Sequence, residues 1–178
     1  MALPSTVHKL CLGISDMDRA YYAEHTLTLA RHPSETEERL MVRVFAFLMH
    51  ASDALESGRG LSCVEDPDWF ERSLTGEMLH WIDVGQPDLK RVKRSLSQAR
   101  QVTVLSYGNR ATDVWWEKEG AAMRGLERVR IYRLDATASG ALAALAARTM
   151  NYQCMVQDGE YCIGTQSGMV QIRPQTLV

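Results

Sequence analysis

At 178 residues the chain is long enough to bury a substantial core and falls within the single-domain range. Apolar residues make up 46% and charged residues 24%, a globular balance that excludes disorder, and the longest apolar runs fall far short of a bilayer span. The net charge of −2 provides no global basic field for nucleic acid, so any such partner has to be held locally.

From the N-terminus, TVHKLCLGIS (6–15) and YAEHTLTLAR (22–31) predict two strands joined as a hairpin across SDMDR. HPSETEERLMVRVFAFLMHASDAL predicts the clearest helix. Ser34 and Glu37 fit a capping box, and Leu40, Met41, Val44, Leu48, Ala51 and Leu55 recur on one face until Gly58 and Gly60 end it. A short strand is expected at 59–64, broken by EDPDW. MLHWIDV (78–84) lacks polar alternation and predicts a central strand buried on both faces. Gly85 and Pro87 mark a turn into a helix over 87–100 with Leu89, Val92, Leu96 and Ala99 inward. VTVLSY (102–107), a helix around 112–123 carrying Trp115 and Trp116, a strand at 127–134 and a helix from 136 to 149 capped by Asp135 follow. The tail, with an Asp158-Gly159 turn, predicts an antiparallel meander. The expected fold is a single α/β domain, a mixed sheet flanked by helices with antiparallel additions at both termini.

Several cheap assignments fall away. No phosphate-binding loop, dinucleotide-binding glycine fingerprint or nucleophile elbow is present, and the five histidines show no metal-ligand spacing. Cys11, Cys63, Cys154 and Cys162 form no C-x-x-C pair, and the hairpin register sets Cys154 and Cys162 on opposite faces. MALPSTVHKL lacks the basic and apolar regions of a secretory leader. These features predict a cytoplasmic protein with no membrane association.

Asp83 is the informative residue. Aspartate is depleted in strands, and a buried carboxylate needs a metal, a partner or a shifted pKa. It falls at the C-terminal end of its strand, where open sheets bind ligands. The plainer alternative is an ion pair with a cation from the following helix. Glu38 flanks the apolar face of the first helix, Asp66 follows the short strand, and Lys93 flanks the inward stripe of its own helix, while Lys90, Arg91 and Arg94 are expected further outward. Carboxylates with a lysine at a sheet edge suit Mg²⁺-assisted phosphodiester hydrolysis: the acids hold the ion and the lysine stabilises developing charge. The KRVKR block (90–94) and the Glu65, Asp66, Asp68 block are each, taken alone, compositions of a solvated surface.

ARHPSETEERLMVR, RGLS, and above all LHWIDVGQPDLKRVKR followed by the Trp pair resemble the YaeQ family of small bacterial proteins over essentially the whole chain. The resemblance implies a variant of the Pro-Asp…(Asp/Glu)-x-Lys nuclease fold and carries no established activity. It aligns Glu38 with the helix glutamate and Asp83 with the (Asp/Glu) position. Asp66 is taken as the first metal carboxylate, although the literal Pro-Asp dipeptide is Pro67-Asp68. The lysine slot holds Gly85, and Lys93 is the candidate to replace it from the next helix; Asp88-Leu89-Lys90 repeats the D-x-K spacing at a helix start. The expected function is therefore a Mg²⁺-dependent nuclease-like activity with Glu38, Asp66 and Asp83 on the metal and Lys93 assisting. The alternatives are a non-catalytic module that binds DNA or RNA through Lys90, Arg91, Lys93 and Arg94, and a structural or regulatory protein whose acids are merely ion-paired.

Overall fold

The computed structural model describes residues 4–178, the side chain of Ser62 excepted; residues 1–3, where the segment read for a leader begins, lie outside the described residues. Apolar–polar alternation produces β1 (Thr6–Asp16) and β2 (Tyr21–Arg31), an antiparallel pair as expected. Leu10, Leu12 and Ile14 of β1 turn inward, while Lys9, Cys11 and Ser15 face solvent.

The first helix, α1 (Glu37–His50), differs from expectation in three ways. Its cap is Thr36, whose hydroxyl accepts the Arg39 N–H at 3.1 Å, whereas Ser34 turns back to His32 at 2.6 Å. It stops at His50, well short of Leu55. It is also buried all round from Leu40 to Met49, not along one stripe, which is what a helix enclosed between two layers requires.

The strand expected at 59–64 is a 3-10 turn, Gly60–Ser62, because Gly60 adopts a φ of +68° that an extended chain does not use. The extended segments lie on either side, as β3 (Leu55–Ser57) and β4 (Trp69–Arg72). β5 (Met78–Val84), α2 (Leu89–Gln98), β6 (Gln101–Tyr107), α3 (Arg110–Met123) and β7 (Val129–Leu134) then alternate, with β5, β6 and β7 parallel. α4 (Ala136–Ala143) is capped by Asp135, which accepts the Ala138 N–H at 2.8 Å. It is shorter than expected because the chain from Thr149 is drawn into β8 (Thr149–Gln157). β9 (Glu160–Thr165), β10 (Gly168–Ile172) and β11 (Gln175–Thr176) complete the chain. Asp158 and Gly159 both take positive φ, the requirement of a two-residue hairpin turn. Cys154 pairs with Ile163 and Cys162 with Met155, so the two thiols face opposite ways and all four cysteines are free.

The strands form two mixed sheets where one was expected. One has the order β10-β9-β8-β1-β2 and the other β11-β7-β6-β5-β4-β3. The terminal hairpins are not additions to the central sheet. Parallel pairing of β1 with β8 joins them into a layer of their own, and its apolar face covers α1. The larger core thus lies between the sheets, with Phe45 and Phe47 of α1 packed among Leu10, Leu12, Ile82 and Leu105. A second core, including Trp81, Val92, Val104 and Trp115, fills the opposite face of the central sheet beneath α2 and α3. Among the described residues, no helix is long and apolar enough to cross a membrane.

Two predictions follow from this packing. A Cβ at Gly58 would lie 1.8 Å from the carbonyl oxygen of Pro67, in the loop that delivers Asp66 and Asp68. Gly58→Ala is expected to lower the unfolding free energy by about 1–3 kcal/mol in denaturant titration. At the end of α1 the His50 ring meets that of His80 edge-on at 4.9 Å; burial pushes His50 down to about 3 and His80 down to about 4. Between roughly pH 6.5 and 4 the unfolded chain takes up protons that the folded chain refuses, so stability present above pH 6.5 is lost progressively on acidification. His50→Phe is expected to flatten that slope in melts across this range.

Candidate functional site

β4 runs antiparallel to β5 with Trp69 opposite Ile82, so Asp68, one residue before β4, meets Asp83 near the end of β5. The Asp68 N–H donates to the Ile82 carbonyl at 2.9 Å, and its Oδ2 accepts the Val84 N–H at 2.7 Å. Both aspartates are nearly inaccessible, at 6% and 2%. Burial raises the Asp68 carboxyl above its ordinary value and the neighbouring Asp83 adds to that, while Arg39, the Val84 N–H and Arg43 oppose it.

Each carboxylate is met by guanidinium groups. Arg39 places Nη2 at 2.9 and 3.1 Å from the Asp68 oxygens, and Nη1 at 2.9 Å from Glu35. Arg43 reaches both Glu35 oxygens, at 2.9 and 2.8 Å, and brings Nε to 3.8 Å from Asp68. Glu35 is fully buried and closes a quartet of two acids and two bases. On the other side, Arg91 grips Asp83 through two parallel bonds, Nε to Oδ2 and Nη2 to Oδ1, both 2.8 Å. The same guanidinium donates to the carbonyls of Val64 and Asp66, pinning the loop to the sheet.

Asp66, Asp68, Asp83, Arg39 and Arg91 line one cavity of about 240 Å³ at the C-terminal end of β5. Of the three expected metal carboxylates, Asp66 and Asp83 are therefore brought together. Asp66 is bonded by Arg59 at 2.6 and 3.0 Å, which lowers its carboxyl to about 2. Glu38 is not among the lining residues; its Oε1 accepts the Ser139 hydroxyl of α4 at 2.6 Å. Asp68, in the literal Pro-Asp dipeptide, is the more deeply buried partner for Asp83.

Lys93 is exposed and does not line the cavity, whereas Arg91, expected to face outward, is half-buried within it. The cause is a rotation of the buried face of α2. Val92, Ser95 and Ala99 are its buried positions, while Leu89 and Leu96 are only half-buried, which turns Arg91 inward and Lys93 out. Among the described residues, no three His, Cys, Asp or Glu side chains are placed to hold a metal together. Asp68 and Asp83 nevertheless offer two hard oxygen donors in one cavity, a number that suits Mg²⁺, which keeps several waters.

Arg39, Arg43 and Glu35 are the functional candidates that sequence reasoning passed over. The signal was Glu35-x₃-Arg39-x₃-Arg43, a line of charges at helical spacing that runs from the cap region into the apolar stretch beginning at Leu40.

The family model described as YaeQ protein matches residues 1–174. The protein named "Uncharacterized protein YaeQ" of Salmonella typhi is 34% identical over 174 residues, covering 97% of this chain and 96% of that one. Its namesake of Escherichia coli K12 is 37% identical over 160 residues, covering 89% and 88%. The crystal structure of YaeQ from Xanthomonas axonopodis pv. citri superposes with a TM-score of 0.93 at 47% identity, over 97% of each chain. That from Pseudomonas syringae gives 0.94 at 36% identity, over 99% of this chain and 98% of its own.

The Asp83–Arg91 pair has a measurable signature. Arg91→Met leaves a buried carboxylate without its cation and is expected to cost about 2–4 kcal/mol, the lower end reflecting the partial exposure of Arg91 (29%). Adding Asp83→Asn should recover much of the loss in a double-mutant cycle by chemical denaturation. Strictly additive effects would show that the pair does not stabilise the fold.

Proposed function

This chain belongs to the YaeQ protein family, and from the geometry of its carboxylate pair we propose that it is a Mg²⁺-dependent nuclease-like protein acting on the phosphodiesters of DNA or RNA. The observation that carries the reading is that Asp68 and Asp83, on paired strands at the end of a sheet, share one cavity with Arg91. Pro67-Asp68 and Asp83-Val84-Gly85 stand in the order of the Pro-Asp…(Asp/Glu)-x-Lys pattern. The antiparallel β4–β5 pair continued by parallel β6, with α1 packed against β5, supports a core of that nuclease type. Four free thiols fit action in the reducing cytoplasm.

When bound, Mg²⁺ would supply an acidified water and neutralise charge on the reacting phosphate. Asp68 and Asp83 are the residues that would hold it. Arg39 keeps Asp68 oriented from the α1 side. Arg91, released from Asp83, is the guanidinium nearest the cavity from the α2 side, and its planar fork matches a phosphate. It takes the part first expected of Lys93. Glu38 lies outside this cavity and joins α1 to α4 through Ser139, and Asp66 braces the loop through Arg59.

A second reading has its own observation: Arg39 and Arg91 already neutralise both buried carboxylates. On that reading the site is degenerate, and the protein binds nucleic acid through Lys90, Arg91, Lys93 and Arg94 without cutting it.

Thermal melts in Mg²⁺ and EDTA, paired with cleavage of a single oligonucleotide, separate the two. The nuclease reading expects a Mg²⁺-dependent rise in Tm that Asp83→Asn abolishes. It also expects Arg91→Ala to lower turnover about 10²–10³-fold, with Lys93→Ala having little effect. Salt-dependent binding that is equal in Mg²⁺ and EDTA, with no cleavage, would establish the degenerate binder instead.

A further inference from the structure

Beside the carboxylate cavity lies a larger one of about 410 Å³, which shares Val64, Gln86 and Arg91 with it. We infer that this cavity receives the base of one unpaired nucleotide, so that the substrate is single-stranded or flipped-out nucleic acid; the inference rests on the nucleic-acid reading above and names the form that the ligand takes.

Three features point to that ligand. The first is a donor without an acceptor. Trp81, on β5, lines the cavity, is only 3% exposed, and its indole Nε1 has no hydrogen-bond partner. The two other deeply buried tryptophans are satisfied: Trp69 donates to the Arg43 carbonyl and Trp115 to that of Pro87, each at 2.8 Å. A buried indole N–H is normally paired. A nucleobase carries both the ring-edge acceptors that such a donor takes and flat apolar faces that suit the exposed Val64 beside Trp81.

The second feature is charge. Lys90 and Arg94 line the same cavity and are exposed, and Arg94 is held by an equally exposed Glu65 that a phosphate can displace. Cations at the rim and an aromatic group within are the combination that binds a nucleotide by its phosphate and its base together. The third is continuity. Because Arg91 belongs to both cavities, a base seated in the larger one brings its own phosphodiester toward Asp83. Trp81 also borders a cavity on the β4 side, but that one does not include Arg91. A base stacked within a duplex cannot enter such a recess without leaving the stack.

The test uses the whole protein in EDTA, with calorimetry as the readout. Deoxyadenosine 5′-monophosphate is compared with deoxyribose 5-phosphate, which carries the same charge without a base. The nucleotide is expected to bind at least about tenfold more tightly. Trp81→Phe, which keeps an aromatic ring and removes the donor, should weaken nucleotide binding about five- to tenfold and leave the sugar phosphate unchanged. Lys90→Ala with Arg94→Ala should weaken both ligands. Equal affinity of the parent protein for the two ligands, or no binding of either, overturns the inference without reference to any variant. Loss of nucleotide binding while the Mg²⁺ melt response persists refutes the base pocket alone. Nucleotide binding that survives the absence of any Mg²⁺ response leaves the pocket standing and removes the cleavage chemistry.

Discussion

Two carboxylates buried next to one another at the ends of paired strands have to find cations within the protein or from outside it, and much of this fold is arranged around that demand. Asp68 and Asp83 are held together by the β4–β5 register, so neither can retreat to solvent. The cost of leaving one such charge unpaired exceeds what the pair gains over an apolar core. This accounts for Arg39 and Arg43 on a helix otherwise enclosed by apolar side chains, and for Glu35, which balances them. The quartet ties α1 to β4 on one side, and Arg91 ties α2 and the 64–66 loop to β5 on the other.

On the proposed nuclease reading, the same arrangement tunes the site. A metal ion entering the site competes with guanidinium groups that already satisfy both aspartates, so its affinity is reduced by the free energy of opening the Asp83–Arg91 pair. Of the two locks, that one is the easier to open. Arg91 is partly exposed, whereas Arg43 is almost fully buried and Arg39 is held by two acids. Opening it also frees a cation beside the cavity at the moment when a phosphate would need one. On the proposed reading, one residue both stabilises the resting fold and serves the substrate.

Elements whose own residues dictate them were legible in the sequence: β1 and β2 from alternation, β5 from its continuous apolar run, α4 from the Asp135 cap, and the Asp158-Gly159 turn. Asp83 stood out because a carboxylate in a buried strand is costly wherever it occurs. What failed depended on tertiary partners. β3 and β4 are short and form only by pairing outward from β5, so neither carries a periodic pattern of its own. The separate terminal sheet depends on β1 meeting β8, more than a hundred residues away. The choice of Lys93 over Arg91 turned on which side of α2 is buried. That is set by Trp81 and Val104 beneath the helix and is not visible in the helix alone.

On the proposed nuclease reading, Gly85 accounts for a cation that comes from a helix. The residue two positions after Asp83 is where the nuclease pattern places its lysine, yet here the chain leaves β5 with a φ of +115°, a conformation that side chains bearing a Cβ rarely adopt. Space is not the obstacle, since a Cβ there would meet nothing within 4 Å. The backbone is bent because its N–H donates to the Leu105 carbonyl at 3.0 Å, keeping pace with β6, while the chain turns toward the Asp88 cap of α2. A lysine at this point would strain that turn, so the positive charge is supplied from the first turn of the helix that the turn begins. Arg91 lies there because the Asp88 carboxylate caps its N–H at 2.8 Å, which fixes the start of α2 and hence the side on which Arg91 emerges. The glycine and the arginine are thus two parts of one solution. The turn that disfavours a lysine just after β5 also aims the helix that carries the guanidinium to Asp83.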